Sequence, residues 1–525
     1  MNAAPGIDSV ASMLASAERH AAQRELPQAI ALYEAALRQR PDDANVLVQL
    51  SYVHSLSGHY RLGRDHALRA YATGTTSPKV LSELIPRLRT FNAIPELLAC
   101  VDRLQPLSRL PIPLLLTIAA HLSYVNLPER AIGFLDEAYR GDPDYPPTLL
   151  ARAQVLIYLG RFEEARKDVA RALKRAPEIA HGYWLQAALD DAATPGGHVD
   201  AMRTQLRRPG RSPADVALLQ FALHKELDDR GDHDGAWNAL MAGCRAKRST
   251  LQYETAESEA LLQALLACEP ARAASVQPGV DMDSPTPVFI VGMHRSGTTL
   301  LEQLLDGSPE VRGIGELYDF TSAMREATDH HCGGVLDATL VQRAAHADLA
   351  AAGRRYMQGI AWRLHGEAFF TDKLPSNFLN IGFIARALPQ AKILHMVRDP
   401  VETCFSNLRE LFSNANAYSY DMRELAAFHG AYRRLMAHWH RQFPGRILDV
   451  DYARLLQAPA DVIREVCGFC GIGFDPAMLG MDRRRGVVTA SAIQVRSGIE
   501  ARTTPKWAPY RDHLAPLIQA LRDDA

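Results

Sequence analysis

The chain has 525 residues, more than one ordinary domain holds, so two or three domains are expected. Hydrophobic residues make up 47% and charged residues 22%, with a formal net charge of −2. Such a composition suits a folded globular protein and gives no global pull toward nucleic acid or an anionic membrane, so neither partner is expected. The seven cysteines show no regular framework. The start, MNAAPGIDSVASML, lacks both a basic head and a long apolar core, and the apolar stretch near residues 114–120 is too short to cross a bilayer. A soluble cytoplasmic protein is the expectation.

In the first half, small and apolar residues fall on a lattice. Ala29, Tyr33, Ala36 and Pro41 are matched by Ala131, Leu135, Ala138 and Pro143, three steps of 34 residues later. The intermediate steps hold Gly63, Ala67 and Ala70, then Leu97, Val101 and Leu104, and one step beyond come Ala165, Val169, Ala172 and Pro177. Small residues let paired helices approach closely, and each pair needs stacked neighbours to bury its apolar face. This two-helix unit resembles the tetratricopeptide repeat. The unit near Leu97 is degenerate, and residues 213–248 read as one further helix pair with Ala236, Leu240 and Cys244 packed. Such a solenoid can hold a peptide, form a dimerisation arm or act as a scaffold, and the sequence leaves these open.

A stretch rich in small residues and proline before Pro287 breaks the helical pattern. The expected organisation is a helical repeat domain over 1–250, a connecting segment over 251–285 and an α/β domain over 286–525. Residues 288–291 read as a buried strand, followed by the loop Gly292-Met293-His294-Arg295-Ser296-Gly297 and a helix beginning at Thr298. Strand, glycine-containing loop and helix N-terminus together make an anion cradle. The pattern nearly matches the nucleotide-hydrolase phosphate loop, but Thr298 stands where the lysine should be, and Arg295 is the cation left inside the loop. Further strands are expected at 392–397 and 447–450, with a helix over 401–411 between them. Strand–loop–helix units in series imply a mainly parallel sheet with ligands at the strands' C-terminal ends. Cys467 and Cys470 form a lone C-x-x-C in an apolar-periodic segment and read as two buried thiols.

The segments HRSGTTLLEQLL, VRGIGEL, DKLPSNF, KILHMVRDPVETCFSN and QVRSGI…PKW resemble the sulfotransferase family, above all tyrosylprotein sulfotransferases and bacterial fusions of tetratricopeptide repeats with a sulfotransferase domain. The resemblance covers residues 286–515. It implies 3′-phosphoadenosine 5′-phosphosulfate (PAPS) as donor, leaving as adenosine 3′,5′-bisphosphate, and an α/β P-loop-like sulfotransferase domain behind an all-α solenoid. PAPS carries two anionic ends. Arg295, Ser296, Gly297, Thr298 and Thr299 are the candidates for the 5′ end. Arg398 with Ser406, eight residues on, is the candidate for the 3′-phosphate, because an arginine fork can bind two phosphate oxygens. The plainer alternative makes Arg398-Asp399 a helix-start ion pair.

The resemblance also implies catalytic roles. Glu316 falls at the family's catalytic glutamate, Lys373 at the lysine contacting the transferring group, and Tyr452, Ser491 and Lys506 at positions lining the donor site. Ser491 also counts as catalytic, as a donor to the sulfonate or bridging oxygen, and Arg295 as a cation near the reaction. Gly315 departs from the tyrosyl enzymes, which often carry a second acid there. His294 is a rival base, with local packing as its plainer reading, and His330-His331 reads as a surface pair. No metal-ligand cluster is apparent and no metal is expected. The leading expectation is a PAPS-dependent sulfotransferase acting on a hydroxyl, with peptidyl tyrosine held along the repeats as a candidate acceptor. A P-loop kinase or NTPase and a non-catalytic repeat scaffold are the alternatives. Residues 1–250 are expected to be dispensable for donor binding.

Overall fold

The computed structural model describes residues 7–190, 197–268, 284–480, 488 and 504–523. The 34-residue lattice becomes helix pairs in perfect step. The second helices are Leu26–Gln39, Tyr60–Ala72, Ile94–Asp102, Pro128–Gly141 and Phe162–Arg175. The small residues singled out above lie on these helices, and Ala29, Ala36, Ala67, Ala70, Ala131, Ala138 and Ala165 are wholly buried. Prolines open several of the helices, where a missing N–H costs nothing. The second helix of the degenerate third unit is the shortest of these five, with nine residues. Residues 213–248 do form a further pair, Pro213–Asp229 and His233–Arg248, with Ala236, Leu240 and Cys244 buried.

The chain forms two compact units, and neither is a simple half of the sequence. The first joins Met1–Val125 to Tyr318–Arg363. Here the helix Asp319–Thr328 packs on the repeat helix Tyr60–Ala72, the helix Leu349–Ile360 packs on Asp319–Thr328, and polar links join the segment to the repeats. The Tyr60 hydroxyl lies 2.6 Å from Ser322 Oγ, the Arg61 amide donates to Asp329 Oδ1 at 2.8 Å, and Arg363 Nη2 donates to the Val125 carbonyl at 3.0 Å. His330-His331 is therefore not a surface pair. His330 lies 2.7 Å from Asp337, and His331 stacks on Tyr60, where burial lowers its pKa to about 4.

The second unit, Asn126–Leu317 with Leu364–Ala525, contains the sheet. Five strands, β1 (Thr286–Gly292), β2 (Val311–Gly313), β3 (Phe369–Asp372), β4 (Lys392–Val397) and β5 (Ile447–Asp451), lie in the order β2-β3-β1-β4-β5, every neighbouring pair parallel. β1 is central and buried on both faces, which explains its unbroken apolar run. One face packs on Leu301, Leu304, Ile463, Val466 and Cys467. Cys467 and Cys470 are buried free thiols, and burial raises the pKa of Cys470 to about 12. Helices 213–248 are joined to the α/β part in the same unit. Arg409 donates to Asp228 at 2.7 Å, and Arg248 donates to both Glu424 carboxylate oxygens at 2.9 Å. Asp228 and Arg248 lie within residues 1–250, the stretch expected to be dispensable for donor binding, so that stretch supplies ion-pair partners to the α/β part. Among the described residues no helix is long and apolar enough to cross a membrane.

Candidate functional site

All five strands end on the same edge of the parallel sheet, and each delivers a residue singled out by the sequence. β1 runs into the loop 293–297, β2 into Gly315-Glu316, β3 into Lys373, β4 into Arg398 and β5 into Tyr452.

After β1 the chain turns sharply. Arg295 adopts φ +67° and Gly297 φ +105°, and the helix Thr298–Leu305 begins immediately. Gly297 has no room for a side chain, since a Cβ there would lie 2.4 Å from the Tyr452 ring. A helix start leaves its first amides without intrahelical acceptors, pointing toward whatever the loop encloses. Thr298 and Thr299 are buried in that first turn. Ser296 is 1% exposed, and its hydroxyl has no hydrogen-bond partner among the described residues. A buried hydroxyl left without a partner is costly. In an anion cradle it is a donor held ready.

The helix Pro400–Leu408 grips the loop from the other side. Arg295 Nε donates to Ser406 Oγ at 3.2 Å, and Asn407 Nδ2 donates to the His294 carbonyl at 2.7 Å. Arg398 Nη1 donates to the Arg295 carbonyl at 3.0 Å, its Nε donates to Glu402 at 3.0 Å, and its guanidinium lies 4.5 Å from the Tyr452 ring centroid. Arg398, Arg295 and Ser406 thus form one cluster in which Arg295 touches both others. Asp399 caps the helix by accepting from the Glu402 amide at 2.9 Å, so the partner of Arg398 is Glu402 rather than Asp399. Burial lowers the pKa of Arg295 and raises that of Glu410, whose carboxylate lies 3.4 Å from Arg295 Nη1.

On the β2–β3 side, Lys373 is wholly buried, and its ammonium lies 2.6 Å from Glu316 Oε1. Glu316 keeps a third of its side chain exposed. His294 bridges the two sides. Its ring lies 3.4 Å from Ser376 Oγ and 3.3 Å from the Tyr418 hydroxyl, with Phe412 packed against it. Burial pushes the His294 pKa down to about 4, so the ring is neutral near pH 7. Tyr158, on the repeat helix Pro146–Tyr158, is close enough to Glu316 for its phenol to feel the carboxylate; burial first, and that charge second, raise its pKa to about 12. Lys506 is exposed. Ser491 lies outside the described residues.

Two residues here escaped the sequence reading. Glu302, 2% exposed, faces inward from the first helix and accepts from the Gly315 amide at 2.8 Å and from Thr371 Oγ1 at 3.2 Å. Its signal was an acid set among the leucines of TTLLEQLL. The other is Asn126, whose amide reaches the Glu316 carbonyl at 2.9 Å. Away from this edge, β4 and β5 pair His395 with Asp449, and His440 joins them. This His–Asp–His set is within metal-ligand reach, although its nitrogens and Oδ1 already serve one another. Burial opposes ionisation of Asp449, but the hydrogen bonds from both imidazoles hold its pKa below the usual carboxylate value.

Comparison with known proteins bears on this arrangement. Residues 287–476 match the sulfotransferase family, and residues 126–189 match the tetratricopeptide repeat. A protein of Aquifex aeolicus (strain VF5), described only as uncharacterized, is 28% identical over 404 residues, covering 75% of this chain and 52% of its own length. The chain therefore spans about half of that relative. Protein-tyrosine sulfotransferase 2 of Gallus gallus is 25% identical over 271 residues, covering 45% of this chain and 69% of its own. Among solved structures, the sulfotransferase domain from the Synechococcus PCC 7002 olefin synthase shares 20% identity over 46% of this chain and 96% of its own, with a TM-score of 0.28.

Proposed function

Because the chain carries a sulfotransferase domain and tetratricopeptide repeats, we propose that it moves a sulfuryl group from PAPS to an acceptor hydroxyl, with peptidyl tyrosine as the acceptor. PAPS, when bound, supplies the sulfuryl group. The residues present suit such a donor: hydroxyls, arginines and a helix start rather than a lysine-bearing loop. Ser296 with the first turn at Thr298 and Thr299 would hold its 5′ end. Arg398 and Ser406 would hold its 3′-phosphate, Arg295, expected at the 5′ end, would link the two ends through its 3.2 Å hydrogen bond to Ser406, and Tyr452 would wall the nucleotide against Gly297 and Arg398. Lys506 and Ser491 complete the proposed donor site from the C-terminal segment, Ser491 as a donor to the transferring group.

The observation that carries the reading is the Glu316–Lys373 pair beside a loop without lysine. Glu316, partly exposed, can take the proton of an acceptor hydroxyl, while the Lys373 ammonium sets a positive charge where negative charge develops in transfer. His294 is less suited as base: its ring is walled in by Ser376, Tyr418 and Phe412. The peptide part of the reading rests on the repeats, since Tyr158 brings a repeat helix within range of Glu316. The test is transfer from sulfur-35-labelled PAPS to tyrosine peptides and to small phenols. Labelled peptide, lost on Glu316→Gln, is the expected result. Transfer to phenols alone would remove the peptide reading, and ATP hydrolysis without sulfuryl transfer would favour an NTPase.

A further inference from the structure

The repeats place one residue against the main chain of the candidate base. Positive φ recurs at the same turn in every step of the lattice: Arg24 (+60°), Gly58 (+80°), Asn92 (+53°), Asn126 (+61°) and Gly160 (+74°). The left-handed turn explains why glycine or asparagine is favoured at such a position. It does not explain what the asparagine side chain does. Asn126 Nδ2 donates to the Glu316 carbonyl at 2.9 Å and to the Ile314 carbonyl at 3.2 Å, across about 190 residues of sequence. Those two carbonyls flank Gly315, which has φ +79°, and a Cβ on Gly315 would lie 2.9 Å from the Asn126 amide nitrogen.

Three further main-chain groups of this segment are also held. The Ile314 amide donates to the Thr371 carbonyl at 3.3 Å, the Gly315 amide to Glu302 Oε1 at 2.8 Å, and the Lys373 amide to the Gly315 carbonyl at 3.0 Å. Glu302 ties the segment to the phosphate-loop helix, Lys373 ties it to β3, and Asn126 ties it to the repeats. Gly315 and Asn126 are complementary: the close approach of the amide needs a glycine there, and an acid at 315 would collide with it. Within the first unit, Asn92, at the same turn one step earlier, hydrogen-bonds Asp319, three residues past Glu316.

We propose that Asn126 is a positioning residue for Glu316, fixing the carboxylate against Lys373 from a repeat turn, and that Gly315 is glycine to admit it. This rests on the reading of Glu316 as the base. Asn126→Gly keeps the left-handed turn and removes the donor. Asn126→Asp keeps the size and sets an acceptor against two carbonyls. A misplacement of about 1 Å can cost on the order of 10²-fold in rate. Sulfuryl transfer from PAPS to 4-nitrophenol and to a tyrosine peptide should therefore fall about 10- to 100-fold in kcat for either variant, with affinity for adenosine 3′,5′-bisphosphate unchanged.

The decisive arm is a cycle with Glu316→Gln. If Asn126 acts through Glu316, adding Asn126→Gly to Glu316→Gln costs no further activity. An equal loss in both backgrounds, or no loss in either, overturns the proposal. A second readout needs no acceptor: in Asn126→Gly, hydrogen exchange at the Gly315 and Lys373 amides should quicken while the β1 amides stay protected. Unchanged exchange overturns the clamp. A fully active Glu316→Gln would instead sink the base reading, with the exchange arm still deciding whether Asn126 holds the segment.

Discussion

Arg398→Ala probes the proposed donor site most sharply, because the side chain has three separable contacts. Its Nη1 supports the Arg295 carbonyl at 3.0 Å, its Nε and Nη2 pair with Glu402 at 3.0 Å, and its face covers Tyr452 at 4.5 Å. The Glu402 pair is about a fifth to a quarter exposed on each side, so its loss costs little in stability. A hydrogen bond to a charged group contributes about 1.5–3 kcal/mol. Losing the phosphate contact, together with some of the loop support, should weaken adenosine 3′,5′-bisphosphate by roughly 2–4 kcal/mol, or about 30- to 700-fold. Adenosine 5′-monophosphate, lacking the 3′-phosphate, should lose much less. Arg398→Lys should fall between, since a lysine keeps the charge without the fork. Glu402→Gln should not weaken binding, because it removes only the carboxylate that shares the guanidinium. Isothermal titration calorimetry with the two nucleotides reads all four. Equal losses for both would mean that Arg398 only shapes the loop, and no loss for either would remove it from the site.

Other outcomes follow from the same geometry. Glu316→Gln should leave nucleotide affinity nearly intact and lower turnover by on the order of 10²–10⁴-fold, read by steady-state transfer assays. Arg295→Ala should abolish tight donor binding by calorimetry, whereas His294→Ala should change it little. Acid should unfold the protein readily. His66, His121, His294, His331 and His429 are held neutral by burial, with pKa values of about 4. The unfolded chain takes up these protons first, so stability is full above about pH 6.5 and drains as pH falls toward 4, by on the order of 1–3 kcal/mol per site. Thermal unfolding across pH 4–8 checks this, and a flat profile would contradict it.

The parts legible in the sequence were those written locally. The repeat lattice was readable because small residues at Ala29, Ala67, Ala131 and Ala165 have one physical use, the close approach of two helices. β1, β4 and β5 were readable as apolar runs. β2 and β3 were not, because VRG and FFTD are too short to carry a period, and only pairing with β1 and with each other makes them strands. Glu316 and Lys373 were found by resemblance, but their 2.6 Å pairing needs two strand ends 57 residues apart. The same limit hid Asn126, which looks like an ordinary turn residue until its partner 190 residues away is known. The single-cut domain boundary did not foresee Tyr318–Arg363 packing with the first repeats, since its small, polar helices give no hint of their partner.

The proposed donor site serves two anionic ends without a phosphate-loop lysine. Calorimetric titration of the full chain with adenosine 3′,5′-bisphosphate, adenosine 5′-monophosphate, ATP and GTP tests it most directly. Adenosine 3′,5′-bisphosphate should bind far more tightly than the other three. Tight binding of ATP or GTP, with adenosine 3′,5′-bisphosphate no better than the monophosphate, would contradict it.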